Sequence, residues 1–129
     1  MRRPLWLILA LALASVILAA CAEEGSASDA VARYLKAKVA GNEAELVKLS
    51  CADWEAQAAL DAAPFKGVSA KIDGLKCQDA GKDGEDSLVT CTGTLTIQYR
   101  GEDPRQQPLG DETYRARRED GKWKLCGQE

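Results

Sequence analysis

The pattern of the chain changes twice: an apolar opening gives way to a helical period, and that to a period of two. Residues 5–18 carry no charge and follow the basic Met1-Arg2-Arg3. Residues 22–28 (AEEGSAS) break the run. Val31, Tyr34, Leu35 and Val39 then recur at the spacing of one buried helical stripe, with Arg33, Lys36 and Lys38 on the wet side. Ser28 is placed to cap this helix, Asp29 to sit in its first turn and Gly41 to stop it. Asn42-Glu43-Ala44-Glu45 has the capping-box form and opens a second helix with Leu46 and Leu49. Ser50 or Asp53 caps a third, holding Trp54, Ala58 and Leu60.

After Pro64 the alternation is that of strands. Val68, Ala70 and Ile72 share a side, Asp73-Gly74 interrupts, and Leu75 and Cys77 resume on the shifted phase, as at a bulge. Residues 81–86 are a polar loop. Val89, Cys91, Leu95, Ile97 and Tyr99 then face one way, and Thr90, Thr92, Thr94, Thr96 and Gln98 the other, as in a half-buried antiparallel strand. Residues 101–108 read as a turn region. A strand over 113–119, a two-residue Asp120-Gly121 turn and a last strand over 122–126 close the chain. Helices followed by strands predict an α+β domain: three short N-terminal helices packed on a curved four-stranded antiparallel β-meander.

The start of the chain bears on address. A basic pair, an apolar stretch and small residues at Ala19 and Ala20 are the parts of a secretory signal, too short for a comfortable membrane span. Arg2-Arg3 lacks the surroundings of a twin-arginine signal. Leu18-Ala19-Ala20-Cys21 resembles the bacterial lipobox. That resemblance implies cleavage before Cys21, a diacylglycerol on its thiol and a further acyl chain, such as palmitate, on the new amine. Two or three chains anchor stably, each buried methylene contributing about 0.8 kcal/mol. The expected organisation is a signal peptide over residues 1–20, a lipidated Cys21 with a polar tether to residue 27, and one domain over 28–129. The expected location is the extracytoplasmic face of the cell membrane. The outer membrane of a two-membrane host stays open, because Ala22 rather than Asp follows the cysteine.

Two of the 17 basic residues, Arg2 and Arg3, fall before Cys21, so the remainder is more acidic than the whole chain's net −3. Nucleic acid is not an expected partner of such a surface. With no histidine, the chain lacks the commonest general base, both histidine-dependent nucleophile arrangements and the usual metal ligand. No catalytic residue, metal or cofactor is expected. Glu102-Asp103 with Glu85-Asp86 lacks calcium-loop spacing and suits turns.

Assigning Cys21 to lipid leaves Cys51, Cys77, Cys91 and Cys126. Four cysteines in an exported domain suggest two disulfides, with three possible connectivities. A hairpin centred on Gly84 sets Cys77 opposite Cys91, which favours that bond and leaves Cys51 for Cys126. One difficulty stands: a plain Asp120-Gly121 hairpin turns Cys126 away from the face shared by Tyr114, Ala116, Trp123 and Leu125.

Val31-x-x-Tyr34-Leu35, Gly41-Asn42 and Leu46-x-x-Leu49, together with the closing Asp120-Gly121-Lys122-Trp123-Lys124-Leu125, resemble the nuclear transport factor 2-like superfamily in its small bacterial lipoprotein branch. The resemblance covers residues 28–126 and consists of fold-type signals. It implies a cone: a curved sheet wrapped on helices, with a pocket at the open end. It also sets Cys51 at the junction where many members carry a short strand beside the last one, which supports a reach to Cys126. No position matches the superfamily's catalytic motifs; Asp53, Asp61 and Asp73 are the nearest candidates for a base.

Tyr34, Trp54, Tyr99, Tyr114 and Trp123 are pocket candidates, although aromatics at these spacings are more often core. Arg115, Arg117, Lys122 and Lys124 form a basic stripe, expected to be a solvated face balanced by Glu112, Glu119 and Asp120, with anionic headgroups or an acidic partner as the alternative. The functional expectation is a membrane-anchored cell-envelope lipoprotein with a non-catalytic domain for a small ligand or another envelope protein. The alternatives are an enzyme with a carboxylate base in its pocket, and a structural or immunity-type interaction module.

Overall fold

The computed structural model describes residues 25–129. The expected signal peptide, Cys21 and residues 22–24 of the expected tether lie outside the described residues. Helix α1 (Ala27–Val39) starts two residues earlier than expected, because Ser26 and not Ser28 is its cap. The Ser26 hydroxyl accepts from the Asp29 amide at 3.2 Å, and the Asp29 carboxylate accepts from the Ser26 amide at 3.1 Å, a reciprocal capping box. Its apolar face buries Ala27, Ala30, Val31, Tyr34, Leu35 and Ala37. Gly41 follows at a φ of 65°, and a Cβ there would stand 3.1 Å from the Phe65 carbonyl oxygen, so both backbone and space require glycine.

Helix α2 (Glu43–Lys48) is capped by Asn42, whose side-chain oxygen accepts from the Glu45 amide at 3.2 Å. Helix α3 (Glu55–Ala62) follows a short 3₁₀ turn at Ala52–Trp54 and has no side-chain cap. Neither Ser50 nor Asp53 takes that role. Ser50 is fully buried and donates to the Leu46 carbonyl at 2.7 Å instead.

The sheet has five antiparallel strands, not four: β1 (Ser69–Asp83), β2 (Asp86–Gln98), β3 (Arg105–Pro108), β4 (Thr113–Glu119) and β5 (Lys122–Gln128). The order is β1-β2-β4-β5, with β3 also paired to β2. The extra strand follows from length. β2 is 13 residues long, but β4 pairs only with Ser87 through Thr90, which leaves Thr94 through Ile97 with an open edge. Arg105–Pro108 fills that edge. All four of its residues are exposed, so no alternation marks it and the sequence reads as a turn. The result is a strand-rich α+β fold with α1 laid across the sheet. The core joins Val31, Tyr34 and Leu35 of α1 and Leu46 of α2 to Val89, Cys91, Tyr114, Ala116 and Leu125 of the strands.

The expected polar loop at 81–86 is shorter: Asp83 pairs with Asp86 across a two-residue Gly84-Glu85 turn. The irregularity at Asp73-Gly74 is present as a register shift between Asp73 and Lys76, opposite Gly93. At Gly93 a Cβ would meet Ile72 at 3.0 Å and the Asp73 carbonyl oxygen at 3.2 Å. Asp120 and Gly121 both have left-handed φ (54° and 76°), the requirement of a type I′ hairpin turn. No helix among the described residues is long and apolar enough to cross a membrane.

Candidate functional site

The four described cysteines pair off. Cys77 faces Cys91 in the β1–β2 register, with Cα atoms 4.1 Å apart. The turn is centred between Gly84 and Glu85, which by plain alternation would set Cys77 opposite Thr92. A second register shift, between Asp79 and Gly81, corrects the count by one residue. Cys51 joins Cys126, with Cα atoms 4.9 Å apart and 75 residues between them in sequence. The chain at Ser50 runs parallel beside β5 as a single bridge to Leu125. The Leu125 amide donates to the Leu49 carbonyl at 2.9 Å, and the Cys51 amide to the Leu125 carbonyl at 2.8 Å. The phase problem at Cys126 is solved by another bulge. Ala116 pairs with Leu125 but Arg115 with Gly127, so Cys126 is the extra residue and leaves the alternation.

Two buried tyrosines each hold a carboxylate. Tyr34 donates to Asp61 at 2.8 Å and accepts from the Trp54 indole at 3.3 Å; Gln57 donates to the other Asp61 oxygen at 3.0 Å. Lys38 lies 3.7 Å from Asp61. Tyr114 donates to Glu112 at 2.7 Å. Burial first, and then the bonded carboxylate, raise both phenols well above the ordinary range. Asp61, a candidate base on sequence grounds, is therefore a structural acceptor with both oxygens engaged. Asp53 is exposed in the 3₁₀ turn, and Asp73 sits at the bulge with Lys71 at 3.4 Å.

The five aromatic candidates do not converge on one pocket. Tyr34 and Trp54 meet inside the helical layer. Tyr114 lines a cavity of about 150 Å³ between α1 and the sheet, with Lys38, Phe65, Leu109 and Glu112. That volume is below the roughly 300–1,000 Å³ of ligand pockets. Tyr99 is 42% exposed beside a shallow hollow of about 310 Å³ at Gly67 and Arg100. Trp123 lines a depression of about 490 Å³ with Leu49, Glu45 and the cations Arg33, Lys48, Lys122 and Lys124; Gly25 completes it.

This last cleft divides the expected basic stripe. Arg115 donates to Glu129 at 2.6 Å and to Asp83 at 2.8 Å, and Arg117 to Asp86 at 2.8 Å. The expected counter-ions serve elsewhere: Glu112 binds Tyr114, and Glu119 accepts from the Ala52 amide at 3.1 Å. Lys122 and Lys124 instead join Arg33 from α1 and Lys48 from α2. None of the four makes an ion pair within 4.0 Å among the described residues, and Glu45 is the single carboxylate in the lining. Sequence reading missed this site because its cations come from three elements. Arg33 looked like one more solvating charge, and Lys48 carried no signal.

Among the described residues no group of three or more acidic, cysteine or histidine side chains is arranged to hold a metal ion. Glu102 is engaged by Arg105 at 2.8 Å, and Asp86 by the β4 arginines.

No family model matches this chain, and no curated protein does. Among solved structures it is similar to the solution structure of a SEC-C motif containing protein from Rhodopseudomonas palustris. The two are 12% identical, the match covers 81% of this chain and 80% of that one, and the TM-score is 0.49. Nothing about function is taken from that likeness. The expected place in the nuclear transport factor 2-like superfamily and its lipoprotein branch is corrected: neither that superfamily's model nor any other matches the chain. The residues that suggested the superfamily, a helix stripe with a Gly-Asn break and an Asp-Gly-Lys-Trp hairpin, are general devices for ending helices and turning strands.

Proposed function

We propose that this chain is an exported lipoprotein, anchored through Cys21, whose disulfide-braced domain is a non-catalytic binding module of the cell envelope that takes an anionic ligand or acidic partner at the cleft along β5. The observation that carries the binding half is the gathering of Arg33, Lys48, Lys122 and Lys124 around one depression where, among the described residues, Glu45 alone offsets them. Like charges brought together in excess of their counter-ions disfavour the folded state by mutual repulsion, and an anionic partner relieves that repulsion. The anchor half rests on the order basic pair, apolar run, Leu18-Ala19-Ala20-Cys21. A catalytic reading has less support, since Asp61 beside Tyr34 and Glu112 in the lining of the small cavity each accept from a tyrosine.

Metabolic labelling with a fatty acid, followed by membrane fractionation, tests the anchor. Wild type takes up label and sediments with membranes. Processed Cys21→Ala takes up none and is released. Its retention in the membrane fraction would refute the anchor.

A further inference from the structure

The cleft and the proposed anchor lie at the same end of the domain. Gly25, the first described residue, is part of the cleft lining, and Cys21 is four residues upstream. Four residues of fully extended chain span at most about 14 Å. A lipid on Cys21 therefore holds Gly25, and with it that side of the cleft, within that distance of the lipidated residue. Arg33, Lys48 and Lys122 are exposed there, and Lys124 and Trp123 are partly so. Indole is a side chain suited to the boundary between water and lipid, with an apolar body and one polar N–H.

The charge of the whole molecule sharpens the point. The chain carries 20 acidic and 17 basic residues, two of the latter before Cys21, so an anionic bilayer repels the domain as a whole. Only a face with locally reversed charge can approach that surface, and the cleft is such a face. We propose that the cleft docks on the membrane itself, with Arg33, Lys48, Lys122 and Lys124 taking the phosphates of anionic phospholipid headgroups. The domain then stands on its β5 edge. This rests on the Cys21 anchor.

The test uses the processed full-length protein, extracted from a bacterial host and reconstituted in nanodiscs of phosphatidylcholine alone or with phosphatidylglycerol. Amide hydrogen exchange is read at residues 45–49 and 122–124. The phosphatidylglycerol discs should slow exchange there roughly fivefold or more, the factor that about one basic contact contributes, and 0.5 M salt should reverse it. Lys122→Ala/Lys124→Ala should lose that protection while remaining lipidated and in the disc, with an unchanged melting temperature as evidence of folding. Glu45→Gln should strengthen the protection. A lipidated, disc-bound protein whose cleft exchanges equally in both kinds of disc overturns the docking and leaves the anchor standing. Protein without lipid on Cys21 overturns both. Equal protection by inorganic phosphate in phosphatidylcholine discs makes the site one for a free anion and overturns the docking. Protection in phosphatidylcholine discs that is lost in Glu23→Gln/Glu24→Gln makes the chain's own acidic tether the occupant, and also overturns it.

Discussion

The two strands of the last hairpin carry similar residues in opposite circumstances. On β4 the polar groups are matched by the fold: Tyr114 has Glu112, Arg115 has Asp83 and Glu129, and Arg117 has Asp86. On β5, Lys122 and Lys124 make no ion pair among the described residues and share a cleft with Arg33, Lys48 and Glu45. Position explains the difference. β4 is an inner strand, flanked by β2 and β5, and the β1–β2 turn delivers Asp83 and Asp86 beside it. β5 lies at the end of the sheet order, and the helices alongside it bring Arg33 and Lys48. A row of charges thus becomes structure where the sheet surrounds it and a candidate surface where the sheet ends.

The largest blow to this contrast is removal of the bond that holds β5 to the helices. Cys51→Ala/Cys126→Ala should cost about 2–5 kcal/mol, since the bond closes 75 residues of chain, and should loosen the cleft. Urea unfolding measures it, and a loss no greater than for Cys77→Ala/Cys91→Ala would show that the long bond does not set the arrangement. Alkaline pH acts next, on the matched side. The folded phenols of Tyr34 and Tyr114 ionise above the ordinary tyrosine value of about 10, so below that pH both states keep their protons and stability is unaffected. Above it the unfolded chain binds fewer protons than the folded one, and stability falls by about 1.4 kcal/mol per pH unit for each tyrosine. Urea midpoints from pH 9 to 11 should show that slope, reduced in Tyr34→Phe; equal slopes in the two proteins would mean Tyr34 ionises freely.

A smaller effect separates the strands directly. Asp86→Ala removes a carboxylate shared by Arg115 and Arg117 and should cost about 1 kcal/mol. Smallest of all, Lys122→Ala/Lys124→Ala should move stability by no more than about 0.5 kcal/mol, because among the described residues neither lysine has an ion-pair partner to lose. If the lysine changes cost more than Asp86→Ala in parallel thermal melts, the two strands are alike after all.

Much of the architecture was readable from periodicity. The alternation from Val89 to Gln98, the Asp120-Gly121 turn and the apolar stripe of α1 all correspond to elements present. What escaped has physical reasons. Arg105–Pro108 pairs through its backbone with every side chain in water, so no side-chain pattern marks it. Ser50 looked like a helix cap, but its hydroxyl turned back to Leu46 once the chain lay beside Leu125. The aromatics suggested a shared pocket because sequence shows their number and not their separation. The cleft was hidden for the opposite reason, its cations being ordinary singly and distinctive only together.

The bulge at Cys126 has a consequence for how this strand tolerates change. A strand at the end of a sheet is usually a forgiving place for adding or removing a residue. Here parity is fixed at both ends of a short stretch: the Asp120-Gly121 turn sets it at Lys122, and the sulfur of Cys51 sets it at Cys126. Shortening the stretch by one residue makes the count regular but points the thiol or Leu125 the wrong way. Lengthening it by one demands a second irregularity in the space of five residues. Length itself, rather than the chemistry of any side chain between them, is what this segment is least able to vary.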